Sequence, residues 1–339
     1  MTEMMNAVRL HRFGGPDVLR HEEAPRPVPA PGEVLVRVHA VGLNPPDWYL
    51  RDGYRALPPE WQPRAAFPLI PGWDISGVVA ATPDQVHEFR PGDEVFALVR
   101  FPETVMQGGG ACAEYVSVPA GQLAAKPAGL SHAEAAGAPM SLLTAWQFLI
   151  ETGHDAPNPL QSFPHAPVPL EGRTVVVNGA GGGVGHLAVQ LALRAGAEVI
   201  AIASARHEAA LRDLGAHRFI DYTREDPAAA LRGVDLVLDT VGGAGSSRFL
   251  GVLRRGGALF PVFPMGFAGH AEAEELGITV STTQVRSDGA QLSRAAELLA
   301  DGRLRVLIDS TYPLAEAARA HARAERGGIG GKIVLTVVQ

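Results

Sequence analysis

The sequence predicts an α/β protein in two parts: a β-rich part, and a doubly wound parallel sheet covered by helices on both faces. Three observations carry the prediction. Up to about Leu123 the chain reads as short strands punctuated by Gly and Pro. Beyond Ser131, compact apolar strands alternate with amphipathic helices, and strands separated by helices need crossover connections, which make a sheet parallel. Within that stretch a glycine-rich string lies between an apolar strand and the helix after it. With 339 residues, 46% of them hydrophobic and 19% charged, the chain has the length for two domains and the composition for a packed core.

Taken in order, Val34, Val36, Val38 and Ala40 alternate with Leu35, Arg37, His39 and Val41, the period of a strand with one face more buried. Arg90-Pro91-Gly92-Asp93 is a turn leading into a strand over Glu94–Leu98. Residues 52–71 hold five prolines with Tyr54, Trp61 and Phe67, and read as a long loop. Ser131-His132-Ala133-Glu134 has capping-box spacing and opens a helical region, interrupted at Pro139 and resumed from Leu142 to Ile150. The proline-rich residues 153–172 form a loop that enters the next strand at its N-terminal end. Ligands of open α/β sheets bind beyond the C-terminal ends, so this loop is expected to lie away from the chemistry. Strands follow at Thr174–Asn178, Glu198–Ala203, Val234–Asp239 and Gly257–Val262, with helices at Val184–Ala195 and Glu208–Leu214. The chain closes with a helix bearing Leu292, Ala295, Ala296 and Leu299, a strand near Arg305–Ile308, a helix from Ala315 and a strand over Lys332–Val338.

Charge and composition remove several function classes. The 29 basic and 36 acidic side chains leave a net charge of −7, the wrong sign for a phosphate-backbone partner, and no concentrated basic patch offsets it. No apolar run approaches the roughly 18 residues of a membrane helix, and the opening residues hold no stretch of signal-peptide length, so a cytoplasmic protein is expected. Cys112 is the only cysteine, which excludes an intrachain disulfide and multi-cysteine zinc sites, and it reads as a small core residue. The histidines form no metal-ligand pair, and no metal is expected. There is no G-x-S-x-G or H-E-x-x-H, and Gly330-Gly331-Lys332 is followed by Ile333 instead of a Walker hydroxyl.

The glycine string is Asn178-Gly179-Ala180-Gly181-Gly182-Gly183-Val184-Gly185. Ala180 stands where the first glycine of G-x-G-x-x-G would be. After a strand and before a helix, such a string allows a tight turn and close approach of a pyrophosphate, met by backbone N–H groups and the positive helix end. Gly179, Ala180, Gly182, Gly183, Val184 and Gly185 are therefore read as dinucleotide-binding. An NAD site usually places an acid at the end of the following strand. Here Ile202-Ala203-Ser204-Ala205-Arg206-His207 has no acid before Glu208, and Ser204 and Arg206 offer a hydroxyl and a guanidinium suited to the 2′-phosphate of NADPH. The other reading of Arg206 is a solvated arginine at a helix start.

Several ordered motifs extend this reading: Gly42-Leu43-Asn44-Pro45-Pro46-Asp47, Pro71-Gly72-Trp73-Asp74-Ile75-Ser76-Gly77, Leu143-Thr144-Ala145-Trp146, Leu214-Gly215-Ala216, Ile220-Asp221-Tyr222, Asp239-Thr240-Val241-Gly242-Gly243 and Gly331-Lys332-Ile333-Val334-Leu335. With the glycine string they make the chain, from about Ala7 to Val338, resemble the medium-chain dehydrogenase/reductase superfamily, and within it the zinc-free quinone oxidoreductase (zeta-crystallin-like) branch. The resemblance implies a GroES-like catalytic domain over residues 1–128, completed by 310–339, and a Rossmann NADPH-binding domain over 129–309, with the active site in the cleft. It adds Thr144, Tyr222, Thr240, Val241 and Lys332 to the cofactor-binding residues, Tyr222 beside the 2′-phosphate. It also implies a homodimer in which a strand around Thr279–Val285 pairs with its twin. The loop at 153–172 is longer than the branch leads one to expect.

The departures from zinc-dependent relatives bear on the reaction. Those relatives have a cysteine at the position of Asn44, G-H-E at Gly72-Trp73-Asp74, and a four-cysteine structural zinc lobe that is missing here. Hydride addition to a simple ketone makes an alkoxide, which needs a Lewis acid or a poised proton donor; there is no Y-x-x-x-K to supply one. Quinones and α,β-unsaturated carbonyls give delocalised phenolates or enolates that hydrogen bonds can hold. The expectation is thus an NADPH-dependent reductase of such acceptors, with Asn44 and Tyr49 as catalytic candidates. A dedicated biosynthetic enoyl or enone reductase and a non-catalytic NADPH-binding protein are the alternatives. Asn44 also fits a residue bonding its own turn before Pro45-Pro46, and Tyr49 a plain pocket wall. Trp48, Tyr54 and Trp61 fit either a stacking surface for a flat substrate or a packed loop. Acceptor choice is assigned to residues 48–70 and Phe263–Phe267.

Overall fold

A computed structural model describes residues 3–59, 62, 64–157, 161 and 163–338; Trp61 lies outside them. The first elements are the antiparallel pair β1 (Met4–Leu10) and β2 (Leu19–Pro25), then β3 (Glu33–Gly42), α1 (Pro45–Asp52), β4 (Asp74–Ala81), β5 (Glu94–Leu98), β6 (Tyr115–Pro119) and β7 (Leu123–Ala125). The alternation read over residues 34–41 is the inner face of β3, where Val34, Val36, Val38 and Ala40 are all buried. Helix α1 falls where the sequence suggested a turn and the start of a loop. Pro45 and Pro46 occupy its first turn, where the missing N–H groups would have had no partner in any case.

The capping box forms as expected: Ser131 Oγ accepts from Glu134 N at 3.2 Å at the start of α2 (His132–Gly137), and Pro139 opens α3 (Pro139–Leu149). The parallel sheet then contains β8 (Thr174–Asn178), β9 (Glu198–Ala203), β10 (Arg218–Asp221), β11 (Val234–Asp239), β12 (Leu253–Pro261) and β13 (Thr279–Val280), in the order β10-β9-β8-β11-β12-β13. Counting strands within the sheet, this is the 3-2-1-4-5-6 order of a Rossmann fold, whose crevice opens where the order reverses, between β8 and β11. Its helices are α4 (Gly183–Arg194), α5 (Glu208–Asp213), α6 (Pro227–Ala230) and α7 (His270–Leu276), and a core including Val176, Ile202, Ile220, Val237, Phe249 and Leu259 closes one face.

The chain ends with α8 (Gly289–Ala300), β14 (Ile308–Pro313), α9 (Ala317–Glu325) and β15 (Lys332–Thr336), and β15 joins β3 to give the order β14-β15-β3-β4-β5-β7, with β6 also on β3. Two compact units result, residues 1–143 with 286–339, and residues 144–285. The seams fall at these points instead of near 128 and 309 because of packing. α2 lies on β3 so closely that a Cβ on Gly42 would stand 2.1 Å from the Ala136 carbonyl oxygen, and α8 packs on β7.

Three local expectations are corrected. The strand expected near Arg305–Ile308 begins at Ile308, where the backbone comes into parallel register with Lys332. The strand expected over Thr279–Val285 is limited to β13, because backbone groups after Val280 bond side chains of the proline-rich loop. That loop does not stay at the N-terminal ends of the strands. Gln161 and His165 reach Thr282 and Ser281, just past the C-terminal end of β13, since entry into β8 fixes only the loop's last residues.

Candidate active site

In the Rossmann unit the expected residues converge on the C-terminal ends of β8, β9, β10 and β11. Register pairs Asn178 with Ile202 and with Asp239, so the turns after β8 and β11 are neighbours. The N–H groups of Gly179 and Ala180 donate to the Ile202 carbonyl at 3.1 and 3.0 Å, which bends the chain off the sheet. Gly179 has φ +75°, and a Cβ there would stand 2.5 Å from Thr240 Oγ1. At Gly185 a Cβ would be 2.2 Å from the Gly179 carbonyl oxygen, so only glycine lets α4 start this close to β8. Gly182 is the N-cap of α4, without a side chain to satisfy the first-turn donors, and Gly183, Val184 and Gly185 present N–H groups at the positive end of a 12-residue helix. This is a cradle whose missing side chains and free helix end fit a pyrophosphate.

The turn after β11 is held by Asp239, an anchor that sequence reasoning placed only inside a motif. Its buried carboxylate accepts from Asn178 Nδ2 (2.7 Å), Val241 N (3.1 Å), Gly242 N (3.0 Å) and Ser246 Oγ (2.6 Å). Thr240 Oγ1 donates to the Asn178 carbonyl at 2.7 Å, and the Val241 side chain is 62% exposed beside the glycine turn. His207 also went unread: a Cβ on Gly181 would meet its imidazole at 2.6 Å, so the ring lies directly against the turn. At the end of β9, register pairs Ala203 with Asp221, which sets Tyr222 alongside Ser204, and Tyr222 N donates to the Ala203 carbonyl at 3.3 Å. Ser204 is nearly buried, while Arg206 and Tyr222 are exposed. The acid of this edge is Asp221, at the end of β10, where it accepts from Thr223 N (3.0 Å) and Thr223 Oγ1 (2.7 Å).

The β-rich unit carries a buried polar cluster. Register aligns Val334 with Gly42 and Gly42 with Asp74 across β15, β3 and β4, which brings Lys332, Asn44 and Asp74 together. Asn44 Nδ2 donates to Asp74 Oδ2 at 2.8 Å and to the Gly42 carbonyl at 3.3 Å, and its Oδ1 accepts from Lys332 Nζ. That leaves Asn44 no N–H for a substrate oxygen and makes it a strut at the start of α1. Lys332 Nζ also donates to Ser141 Oγ at 3.1 Å and lies 3.7 Å from Asp74, so its ammonium belongs to this cluster. Met140 N donates to Asp74 Oδ1 at 2.8 Å. Thr144, one turn further along α3, is buried as well.

Asp47 accepts from Asn44 N at 2.7 Å, and its other oxygen has no hydrogen-bond partner among the described residues. Burial, with the charge of Asp74 nearby, pushes its carboxyl up to about 7. Burial raises Asp74 to about 6 against the pull of Lys332 and Asn44, and lowers the Lys332 ammonium against the pull of the two carboxylates. At its other end α1 is pinned by Arg51, which donates to the Gly14 carbonyl at 3.1 Å, meets His321 Nδ1 at 3.2 Å and pairs with Glu325. Tyr49 sits on this fixed helix, partly buried. Burial and the Asp52 charge raise its phenol, so it stays protonated. The rings of Trp48 and Tyr54 lie 6.3 and 6.2 Å from it, and Tyr54 spends its hydroxyl on the Val105 carbonyl at 3.0 Å. Among the described residues no group of three or more His, Cys, Asp or Glu side chains is arranged to hold a metal ion, and no helix is long and apolar enough to cross a membrane.

Known proteins match this architecture along its length. The family described as alcohol dehydrogenase GroES-like domain matches residues 30–128, and that described as zinc-binding dehydrogenase matches residues 214–335. The chain is 33% identical to the chloroplastic quinone-oxidoreductase QR1 of Triphysaria versicolor, over 98% of each protein. It is 32% identical to the mitochondrial NAD(P)H oxidoreductase RTN4IP1 of Mus musculus, covering 91% of this chain and 82% of the relative. Among solved structures, the quinone oxidoreductase from Coxiella burnetii superposes with a TM-score of 0.84 at 30% identity, covering 99% of this chain and all of the other. With its GroES-like β-rich unit and its Rossmann unit, the chain belongs to the medium-chain dehydrogenase/reductase superfamily, in the zinc-free quinone oxidoreductase branch, and is an NAD(P)H-dependent oxidoreductase.

Proposed function

We propose that the cofactor is NADPH and that the acceptors are quinones or α,β-unsaturated carbonyls, reduced without a metal. The observation that carries the reading is the edge formed by β9 and β10, where Ser204, Arg206 and Tyr222 stand together and no carboxylate ends β9. A carboxylate at that position would bind ribose hydroxyls and repel a 2′-phosphate, whereas a guanidinium and two hydroxyls favour it.

When bound, the nicotinamide supplies a hydride. The chain's own residues do the rest. The first-turn N–H groups of α4 meet the pyrophosphate, and Ser204, Arg206 and Tyr222 hold the phosphate on the adenosine ribose. Tyr49, kept protonated by burial, donates a hydrogen bond to the acceptor oxygen as charge develops on it. Asn44, Lys332 and Asp74 hold the start of α1 and so position Tyr49. The Lys332 ammonium is committed to Asn44, Ser141 and Asp74, which leaves an acceptor whose negative charge is delocalised as the chemistry that one phenol can support. The names of the quinone oxidoreductase relatives support the same acceptor class.

The test is a pair of fluorescence titrations. Wild type should bind NADPH more tightly than NADH, and Arg206→Ala should weaken NADPH by about tenfold to a hundredfold, the value of a charge-assisted hydrogen bond, with NADH nearly unchanged. A wild-type preference for NADH, or equal weakening of both cofactors, would overturn the reading.

A further inference from the structure

β13 is the last strand of the parallel sheet, and it pairs with β12 over only two residues, Ala258 with Thr279 and Leu259 with Val280. Ser281 N still points inward, donating to the Leu259 carbonyl at 3.2 Å. Backbone direction alternates along an extended chain, so Thr282 and Gln284 turn their N–H and C=O groups outward. These are the groups an added strand would take.

Both groups of Thr282 and the carbonyl of Gln284 are already taken. The Gln161 carboxamide accepts from Thr282 N at 2.8 Å through Oε1 and donates to the Thr282 carbonyl at 2.6 Å through Nε2, the reciprocal pair of bonds that one residue of a neighbouring strand would make. His154 Nε2 donates to the Gln284 carbonyl at 3.0 Å. Beneath them His165 is buried, with Nδ1 2.7 Å from Ser281 Oγ and Nε2 donating to the Phe148 carbonyl at 3.1 Å, its ring packed against Phe148 and Phe260. Burial lowers His165 to about 4, so this anchor stays neutral and intact across the physiological pH range. Thr282 Oγ1 ties the same segment to the Pro261 carbonyl at 2.8 Å.

We propose that His154 and Gln161 form an edge cap: they stand in for a neighbouring strand and close the Rossmann sheet against edge-to-edge addition by a second copy of the chain. The dimer that the family resemblance led us to expect through residues 279–285 is thereby blocked by the chain's own side chains. The cap is independent of cofactor choice and of chemistry.

Two readouts on the full-length protein test it. The first is amide hydrogen exchange in Gln161→Ala. The Thr282 amide should exchange about tenfold faster than in wild type, the loss of one buried hydrogen bond, while Ser281, bonded to β12, keeps its rate. Gln161→Glu, which retains the acceptor and loses the donor, keeps the test open should the alanine variant fold poorly, and should fall between the two. The second is disulfide capture with Gln284→Cys, at an exposed position on the edge a second copy would pair with. With the cap intact no crosslinked dimer should form, and adding Gln161→Ala and His154→Ala should produce one. Unchanged Thr282 exchange in Gln161→Ala, a crosslinked dimer with the cap intact, or none after its removal would each overturn the proposal.

Discussion

Replacing Lys332 with Met removes the cation from a buried cluster while keeping a side chain of similar length and apolar stem. Asp74 is then left fully buried with Asn44 Nδ2 and Met140 N as its donors and no counterion. A buried carboxylate that loses its partner either stays charged or takes up a proton, and the second route caps the cost. Asp74 already stands at about 6 in the folded chain, so protonating it at pH 7 costs about 1.4 kcal/mol at 1.36 kcal/mol per unit, and at pH 5, where it is mostly protonated already, almost nothing. The upper figure is below the roughly 3–5 kcal/mol seen when one member of a buried pair is deleted and the charge stays, because protonation relieves the stranded carboxylate. For a unit of this size each kcal/mol moves the melting temperature by about 2–4 °C, so the β-rich unit should melt about 3–6 °C lower at pH 7. At pH 5 the loss should nearly vanish. Adding Asp74→Asn removes the stranded charge, and the double variant should recover most of the difference. Thermal unfolding of the three proteins at both pH values is the assay. If Lys332→Met melts with wild type at pH 7, or the double variant is no better than the single, the ammonium is not the counterion that the geometry makes it.

Two further expectations follow from α1. Tyr49→Phe should lower turnover by about tenfold or more with good acceptors and leave the NADPH dissociation constant within about twofold, because its hydrogen bond acts on charge present only during hydride transfer; stopped-flow traces and cofactor titrations separate the two. Asp47, held near 7 in the folded chain against an ordinary 3.8, binds its proton more tightly folded than unfolded, so it makes stability fall as pH rises from about 4 to about 7. Asp47→Asn should flatten that slope and gain stability at pH 8 relative to wild type, by up to about 4 kcal/mol in denaturant titrations.

The parts of the fold that are local in sequence were legible, and those that depend on long-range register were not. The glycine turn announces itself because Gly179, Gly182 and Gly185 lie within one turn and one helix start, and their need for close backbone approach is written in adjacent positions. Ser204 was found through a strand end and Tyr222 through the family resemblance, but their adjacency depends on the β9–β10 register. Asn44, Asp74 and Lys332 are far apart in the chain, and only the alignment of β15, β3 and β4 shows that they neutralise one another. From the sequence alone Asn44 therefore reads equally as a donor to substrate and as a residue bonding its own turn. α1 was missed because Pro45-Pro46 reads as a breaker, although the Asn44 and Asp47 spacing before apolar Leu50 marked a helix start. The β-branched run after Thr279 reads as a strand, yet its outward hydrogen bonds go to Gln161 and His154, which no local pattern reveals.

The central claim concerns the acceptor and the absence of metal chemistry. It is tested most directly by following NADPH oxidation with a benzoquinone, a simple enone, an enoyl thioester and an unactivated ketone side by side, with and without a strong chelator. The account predicts turnover of the quinone and the enone, little or none of the ketone, and rates unchanged by the chelator. Efficient ketone reduction, or activity that the chelator abolishes and zinc restores, would contradict it.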